Sequence, residues 1–276
     1  MRSNNVLGFI FAATLDDKIP ELASSRTTAS VPIGGKYRII DFDLSNMSNS
    51  GISNVGIVAK SNFQSLMDHV GSGSAYDLSK RRSNLSILPP YDGKAFSSFV
   101  ETIYNMHGYI EHCREEYVLI SQGNVITNID YTDVFDFHSK KKADITLIYK
   151  NHAIPQGYDR PITLDVDNDG KVNQIFVKPG VVDKGVFNHA YGSILIKKDL
   201  LMSEIRNAIS VNQLDVKRLL QSSLGKYSIY AYENKGYCAA ISSINDYFEF
   251  NMDLMKKEVR DELFNPQRPI YTKVRD

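Results

Sequence analysis

Short apolar runs alternate with stretches of helical periodicity over the first 150 residues. The runs at 6–12, 55–59 and 117–120 are continuous rather than alternating, as in strands that are covered on both faces. A capping box at residues 61–64 predicts the start of one helix, and residues 101–116 carry apolar side chains on one helical stripe. Strands separated by helices of this length predict βαβ units and a mainly parallel sheet.

The pattern changes after residue 150, where an antiparallel hairpin is predicted. Strands over 163–166 and 171–176 flank Asp167-Asn168-Asp169-Gly170, which is typical of a tight turn. The same residues resemble the start of a calcium loop, but the glutamate required at the twelfth position is absent, so a turn is favoured. The remaining predicted elements are a helix over 130–138, strands over 143–149, 193–196 and 227–232, and a long helix over 243–263 that Ser243 opens.

Composition narrows the class of protein. The chain has 276 residues, 42% of them hydrophobic, and is long enough to bury a sizeable core. Lys and Arg total 32, as do Asp and Glu, so the charge balance indicates no broad nucleic-acid-binding face. Cys113 and Cys238 fit no metal or redox spacing, and no apolar run approaches the ~18 residues that span a bilayer. A reducing, cytoplasmic location away from the membrane is therefore expected.

The most specific motif is VPIGGKYRIIDFDLSNMSNSGI, over residues 31–52. It is similar to the signature of glucose-1-phosphate adenylyltransferases. Further segments that resemble this family follow in the family's order, at 88–90, 130–131, 143–146, 176–179, 236–254 and 269–272. The resemblance implies one α/β domain over 1–276, a Rossmann-like nucleotidyltransferase (GT-A-like) fold with a mostly parallel mixed sheet flanked by helices. The resemblance also implies that a left-handed β-helix domain would follow, so this chain is expected to be a truncated or partial product that lacks it.

The family's reaction needs groups that offset phosphate charge. A sugar-phosphate oxygen attacks the α-phosphorus of ATP, so catalysis rests on positioning, cationic side chains and a Mg²⁺ ion held by two aspartates. The resemblance implies a glycine-rich phosphate loop, but this chain has Ala13, Thr14 and Asp16 at the loop positions. The family's loop arginine, a following lysine and its catalytic aspartate correspond, in that order, to Lys18, Thr28 and Glu101.

The metal and sugar-phosphate positions also depart from the family pattern. The two metal aspartates correspond to Asn124 and Ala240, which predicts no metal site and no tightly bound cofactor. Lys178 is retained at the sugar-phosphate site, where it either neutralises a phosphate or closes a strand end. A glutamate, a serine and a glycine of that site correspond to Val177, Ala190 and, approximately, Ile162. No catalytic set is intact, so Mg²⁺ is expected only if the chain is nevertheless an active enzyme.

A retained scaffold with these losses resembles the noncatalytic, regulatory D-type subunit of glycogen biosynthesis in Gram-positive bacteria. That resemblance implies a hetero-oligomer with a catalytic glucose-1-phosphate adenylyltransferase subunit, weak or no activity alone, and response to a small-molecule effector. Two alternatives stay open. One is an active sugar-phosphate nucleotidyltransferase in which Glu101 and Lys18 partly replace the usual groups. The other is an effector sensor without an enzyme partner.

Several residues in and near the signature have simpler interpretations. The pair Gly34-Gly35 predicts a turn rather than a second phosphate loop. Lys36 and Arg38 either bind an effector anion or pair with Asp41 and Asp43. Residues expected to be caps, turns, surface groups or satisfied core groups rather than ligands are Asn46, Asn49, Asn54 and the six scattered histidines.

Overall fold

The computed structural model describes residues 3–12, 16, 18–59, 62–79, 84–89, 98–153, 161–177 and 185–274. The chain divides into two compact units. The first unit comprises Met1–Leu7, Asp92–Leu119 and Asp133–Glu233, and the second comprises Gly8–Tyr91, Ile120–Thr132 and Asn234–Asp276. The expected single domain over 1–276 stays a prediction.

The described residues form both β-strands and α-helices. The strands are β1 (Val6–Phe11), β2 (Pro32–Ile33), β3 (Tyr37–Arg38), β4 (Asn54–Val58), β5 (Asn84–Leu88), β6 (Tyr117–Ser121), β7 (Val125–Thr127), β8 (Ile145–Ala153), β9 (Ile162–Val166), β10 (Val172–Val177), β11 (Val186–Lys197), β12 (Ile229–Glu233) and β13 (Cys238–Ala240). The helices are α1 (Pro20–Ala23), α2 (Ile39–Asn49), α3 (Gln64–Val70), α4 (Phe99–Asn105), α5 (His107–His112), α6 (Tyr131–Lys141), α7 (Lys198–Ser210), α8 (Val216–Ser223), α9 (Ile244–Asp253) and α10 (Lys257–Leu263). Short 3₁₀ turns occupy Ser3–Asn5, Thr28–Ser30 and Ser74–Tyr76.

The first unit contains the antiparallel strands expected after residue 150. β8 pairs with β11, β11 with β9 and β9 with β10, all antiparallel, while β12 runs parallel to β8. In the β9–β10 turn, Oδ1 of Asp167 accepts hydrogen bonds from the backbone N–H groups of Asp169 and Lys171, both at 2.9 Å. Gly170 has φ +86°, a conformation that favours glycine. The predicted hairpin is confirmed, and the Asp167 carboxylate is used by the turn itself.

The second unit contains the sheet section in which β4 lies between β1 and β5. β4 and β5 are parallel, with Asn54 opposite Asn84 and Val58 opposite Leu88. All of β1 is buried, as its continuous apolar run predicted. The same unit contains two small antiparallel pairs, β2–β3 and β7–β13. The turn between β2 and β3 is formed by the Gly34-Gly35 pair, at φ +55° and +80°, as expected.

An apolar core in the second unit fixes the β7–β13 pair against helices. Phe42 of α2, Phe250 of α9 and Leu263 of α10 are each at most 1% exposed and belong to one cluster with Ile126 of β7 and Ile241. Side chains of this kind contribute about 1.5–3 kcal/mol each when fully buried. The strand ends at residues 124 and 240 are therefore held by packing.

Two predicted helices are each broken into two. The helix expected over 101–116 is α4 followed by α5, with the break at Met106. The helix expected over 243–263 begins after Ser243 as predicted, with Ser243 Oγ accepting from the Asp246 N–H, but it ends at Asp253. The Arg260 guanidinium of α10 donates to the backbone oxygens of residues 254 and 255, at 2.8 and 2.6 Å. It satisfies carbonyls at the end of α9 and so stabilises the break.

Helical periodicity over 243–263 also predicts a buried stripe, which is partly wrong; its members are Ile244, Tyr247, Phe248, Leu254 and Met255. Ile244, Phe248 and Met255 are 48%, 61% and 73% exposed, and Phe250 instead points into the core. In α3, the helix begins at Gln64 without a side-chain cap, and the Ser61 of the predicted capping box lies outside the described residues. Among the described helices, none combines the length and apolar composition that crossing a membrane requires.

Candidate functional site

Gly123 brings a turn against the end of β1 in the second unit. Its φ is +65°, and a Cβ at this position would lie 2.3 Å from the carbonyl oxygen of Phe11. Only glycine permits so close an approach in this backbone conformation. The carboxyl ends of strands in an open α/β sheet are where ligands ordinarily bind. The turn at 122–124 and the end of β1 therefore mark the region in which a substrate site is expected.

Asn124 and Ala240 lie at this place and are close to each other. Ala240 is opposite Val125 in the β7–β13 pair, one residue beyond Asn124. The Asn124 side-chain N–H donates to the carbonyl oxygen of Ile241 at 3.1 Å, and the Ile241 N–H donates to the Asn124 carbonyl at 2.9 Å. Asn124 is 4% exposed. The structure thus brings together the two positions at which the resemblance implies metal aspartates, and Asn124 is hydrogen-bonded to Ile241, the residue after Ala240.

These two residues do not fit a Mg²⁺ ion. Mg²⁺ prefers carboxylate oxygens, whereas Asn124 supplies a neutral amide whose N–H is committed to Ile241 and Ala240 supplies only a methyl group. Within the described part of the chain, no group of three or more His, Cys, Asp or Glu side chains is placed to share a metal ion. No catalytic step is therefore assigned to a metal at this position.

Asp16 and Thr28, both expected near the phosphate loop, are in direct contact. Oδ1 of Asp16 accepts hydrogen bonds from the Thr28 N–H and from the Thr28 hydroxyl, each at 2.7 Å. Thr28 is 1% exposed, and the next residue, Ala29, donates its N–H to the carbonyl oxygen of Ala12 at 3.1 Å. The positions Ala13 and Thr14 lie outside the described residues. The contact shows that the carboxylate at the loop position is bound by the protein's own backbone.

The other two candidate catalytic positions are placed in different units. Lys18 is an exposed residue of the second unit, two residues before α1. Glu101 is in the first turn of α4 in the first unit, where its N–H donates to Ser98 Oγ at 3.1 Å and its Oε2 accepts from the same hydroxyl at 3.3 Å. Glu101 therefore takes part in the cap of its own helix.

The expected sugar-phosphate positions form a row across neighbouring strands of the first unit. Ile162 of β9 is opposite Val177 of β10 and also opposite Ala190 of β11, and Ala190 is opposite Tyr149 of β8. Residues directly opposite each other share a face of the sheet, so these side chains are neighbours. Three members of the row are aliphatic and provide no hydrogen bond for a sugar hydroxyl. Lys178 lies outside the described residues.

A buried network at the start of α2 was not anticipated from the sequence. Asp41 is fully buried, and its Oδ1 lies 2.6 Å from both His69 Nε2 and the Tyr76 hydroxyl, while Oδ2 accepts from the Arg38 N–H at 2.9 Å. The guanidinium of Arg38 donates to the Ser65 carbonyl and hydroxyl, both at 2.7 Å. Burial, followed by the charge and hydrogen bond of Asp41, raises the pKa of Tyr76. The Arg38 guanidinium is therefore bound by Ser65 and its backbone N–H by Asp41, and the choice between an effector anion and pairing with Asp41 and Asp43 stays a prediction.

Two asparagines of the signature are not caps or turns, contrary to expectation. Asn46 is buried within α2, donates to the Thr127 carbonyl at 2.8 Å and accepts from the Ile129 N–H at 3.2 Å. Asn49 donates to the carbonyl of Pro269 at 3.0 Å. Both side chains connect α2 to segments more than 80 residues away in sequence. Some polar residues of the signature therefore serve to hold β7 and the C-terminal segment in place.

Two of the histidines thought to be scattered are neighbours in the first unit. His152 Nε2 and His189 Nδ1 are 3.3 Å apart, and the hydroxyl of Tyr191 is 2.5 Å from His152 Nε2. Burial lowers the pKa of His189 to about 3 and also lowers that of His152. The two ring planes are nearly parallel, at 16°, with their centroids 5.6 Å apart.

Comparison with known proteins places the chain among nucleotidyl transferases. The family model described as "Nucleotidyl transferase" matches residues 17–257. A glucose-1-phosphate adenylyltransferase of Clostridium acetobutylicum is 30% identical over 99% of this chain and 73% of its own length. In Bacillus subtilis, a glucose-1-phosphate adenylyltransferase is 31% identical over 96% of this chain and 71% of its own length. The glycogen biosynthesis protein GlgD of the same organism is 28% identical over 100% of this chain and 71% of its own length.

Solved structures show the same fold. A crystal structure of a Bacillus anthracis protein, assigned provisionally as a glucose-1-phosphate thymidylyltransferase and bound to sucrose, superposes with a TM-score of 0.74. The match covers 95% of this chain and 98% of that protein at 13% sequence identity. The predicted Rossmann-like nucleotidyltransferase fold is confirmed.

Proposed function

The chain belongs to the nucleotidyl transferase family, and we propose that it acts in glycogen biosynthesis as a regulatory subunit of a glucose-1-phosphate adenylyltransferase, with weak or no activity alone. The reaction class and the pathway are supported by relatives that are 28–31% identical over at least 96% of the chain. The regulatory role is supported by one observation above the others, the hydrogen-bonded junction of Asn124 with Ile241, next to Ala240.

The chemistry of nucleotidyl transfer explains why this junction matters. Attack on the α-phosphorus of ATP develops negative charge on phosphate oxygens, which a metal ion and cationic side chains ordinarily offset. At the positions where carboxylates would hold that metal, this chain has an amide that donates to a backbone carbonyl and a methyl group. The carboxylate of Asp16 adds negative charge where a polyphosphate would approach. Such a site binds ATP with Mg²⁺ poorly.

The retained scaffold supports a role in assembly rather than chemistry. Residues of the signature make buried contacts, among them the Asp41 network and the hydrogen bond of Asn46 to β7. These contacts preserve the fold of a nucleotidyl transferase independently of the metal and phosphate positions. A partner that recognises the fold can therefore still bind. The partner proposed is the catalytic glucose-1-phosphate adenylyltransferase subunit of the same organism.

Pyrophosphate release tests this proposal directly. The protein alone, the catalytic subunit alone and an equimolar mixture are assayed with ATP, Mg²⁺ and glucose 1-phosphate. The protein alone is expected to release pyrophosphate at the background rate. The mixture is expected to release it faster than the catalytic subunit alone, or to respond differently to effectors. Turnover by the protein alone that Lys18→Ala abolishes would establish the divergent-enzyme alternative instead.

Association is measured separately by size-exclusion chromatography of the mixture. Co-elution with the catalytic subunit is expected, because the proposed role requires a stable complex. If the two proteins elute apart and the mixed rates simply add, the partner part of the proposal is wrong. A protein that still binds a small effector under those conditions would be a sensor without an enzyme partner.

A further inference from the structure

The contact between Asp16 and Thr28 has the geometry of an anion held by two donors. The N–H and the hydroxyl of Thr28 both point to one atom, Oδ1 of Asp16, at 2.7 Å. Distances this short are typical of hydrogen bonds to a charged acceptor. Two donors on one residue that converge on one oxygen form a small site for an anionic oxygen. Here the occupant is a carboxylate from the same chain, 12 residues earlier.

The donors of Thr28 are fixed by contacts that do not involve Asp16. The Val31 N–H donates to the Thr28 carbonyl at 3.1 Å, and the Ala29 N–H donates to the Ala12 carbonyl at the end of β1, also at 3.1 Å. The Thr27 hydroxyl donates to Ser30 Oγ at 3.2 Å within the same buried turn. Because Thr28 is buried and its neighbours hold it, the two donors keep their direction when the carboxylate is removed.

We propose that the Asp16 carboxylate is a built-in anion that occupies a two-donor site at Thr28 and thereby keeps phosphate groups away from the end of β1. The ligand class excluded is the polyphosphate of a nucleotide, or inorganic pyrophosphate. A phosphate oxygen accepts the same two hydrogen bonds as the carboxylate oxygen, so the two compete for one place. The bound carboxylate also repels a polyanion through its charge. This inference rests on the proposed noncatalytic function. It assigns part of the weak nucleotide binding to one side chain, that of Asp16.

Calorimetric titration with inorganic pyrophosphate, without metal or sugar phosphate, tests the competition. Asp16→Ala empties the site and removes the charge, and is expected to tighten pyrophosphate binding about tenfold or more, the equivalent of one net charge-assisted hydrogen bond. Asp16→Asn removes the charge but keeps an acceptor oxygen, so its gain is expected to be smaller, about threefold. Thr28→Val in the Asp16→Ala background removes the hydroxyl donor and is expected to reverse most of the gain.

Glu21→Ala is the matched control, because Glu21 is an exposed carboxylate five residues from Asp16, in the first turn of α1. It is expected to change pyrophosphate affinity by less than about twofold, since exposed charges are screened. An equal gain in Glu21→Ala and Asp16→Ala would refute the proposal, because the effect would then be general charge. No gain in Asp16→Ala would refute it as well.

Hydrogen exchange at the Thr28 amide gives a second readout that does not depend on affinity. The amide is expected to exchange faster in Asp16→Ala than in the wild type and to regain protection when pyrophosphate is added. Unchanged exchange in the variant would contradict the inferred bond. Turnover by the wild-type chain alone would refute the proposed function but would leave these binding and exchange results unaffected, so the two failures are distinguishable.

Discussion

Asp43 is an acid buried inside α2, and it makes stability depend on pH. Its side chain is 3% exposed, and Oδ1 accepts from the Ser121 hydroxyl at 2.5 Å. Its other oxygen, Oδ2, has no hydrogen-bond partner among the residues that the structure describes. Burial raises the pKa of Asp43 from 3.8 to about 7, and the hydrogen bond from Ser121 only partly opposes this. The folded protein therefore favours the neutral acid.

The sign of the effect follows from proton binding. Because the pKa of Asp43 is higher in the folded than in the unfolded chain, the folded state holds one more proton between pH 3.8 and about 7. The free energy of unfolding therefore falls as pH rises through this window and levels off above it. At 1.36 kcal/mol per pH unit, a pKa change from 3.8 to about 7 corresponds to about 4 kcal/mol.

Asp43→Asn tests this reasoning. The amide has nearly the same shape but does not titrate, so the contribution of Asp43 to the pH slope disappears. Urea unfolding at intervals from pH 4.5 to 8.5 measures the slope for the wild type, for Asp43→Asn and for Asp136→Asn, an exposed carboxylate on α6. The control is expected to follow the wild type. If the curves for Asp43→Asn and the wild type are parallel, Asp43 does not retain its proton and the argument fails.

Three further substitutions test the contacts around the candidate site. Gly123→Ala is expected to lower the free energy of unfolding by about 3 kcal/mol or more, measured by urea titration. The control Gly71→Ala has a similar φ but nothing within 4 Å of the new Cβ, so it is expected to lose about 1–2 kcal/mol. Similar losses in the two variants would contradict the steric clash at residue 123. Tyr76→Phe removes a hydrogen bond to a buried carboxylate and is expected to cost about 1.5–3 kcal/mol by the same titration. Asn124→Asp places a carboxylate against the Ile241 carbonyl, so it is expected to lower the melting temperature without a stabilising shift from Mg²⁺. A Mg²⁺-dependent rise in melting temperature would show that one carboxylate suffices.

Local signals were enough to predict most of the strands. The apolar runs that became β1 and β4 are uninterrupted because both faces of these strands are buried. The hairpin at Asp167 was predictable because its turn chemistry lies within four residues. By contrast, the break between α9 and α10 depends on the Arg260 guanidinium reaching back to two carbonyls, a contact that periodicity does not reveal.

The positions of the candidate site were predictable from the family motifs, but their contacts were not. Asn124 was recognisable as a missing carboxylate, yet its amide bonds to a residue 117 positions later. The pairing of Asp16 with Thr28 joins two substitutions that the sequence presents as independent losses. That Val177 and Ala190 both lie opposite Ile162 of β9 could not be predicted without the strand register.

The two clearest departures from the family pattern share one property that bears on the proposed loss of activity. Asn124 and Asp16 are each hydrogen-bonded to the backbone of this chain, with Ile241 and Thr28 as their partners. A side chain that merely lost a ligand would leave a buried polar group unsatisfied, at a cost of about 1–3 kcal/mol. Here the Asn124 amide and Oδ1 of Asp16 are hydrogen-bonded, so both positions contribute contacts to the fold. Reversing one substitution therefore removes a structural bond and restores at most one of the two positions, because the other change still opposes metal or phosphate. Single reversions are expected to lose stability and gain no turnover, which would make the proposed noncatalytic state resistant to reversal.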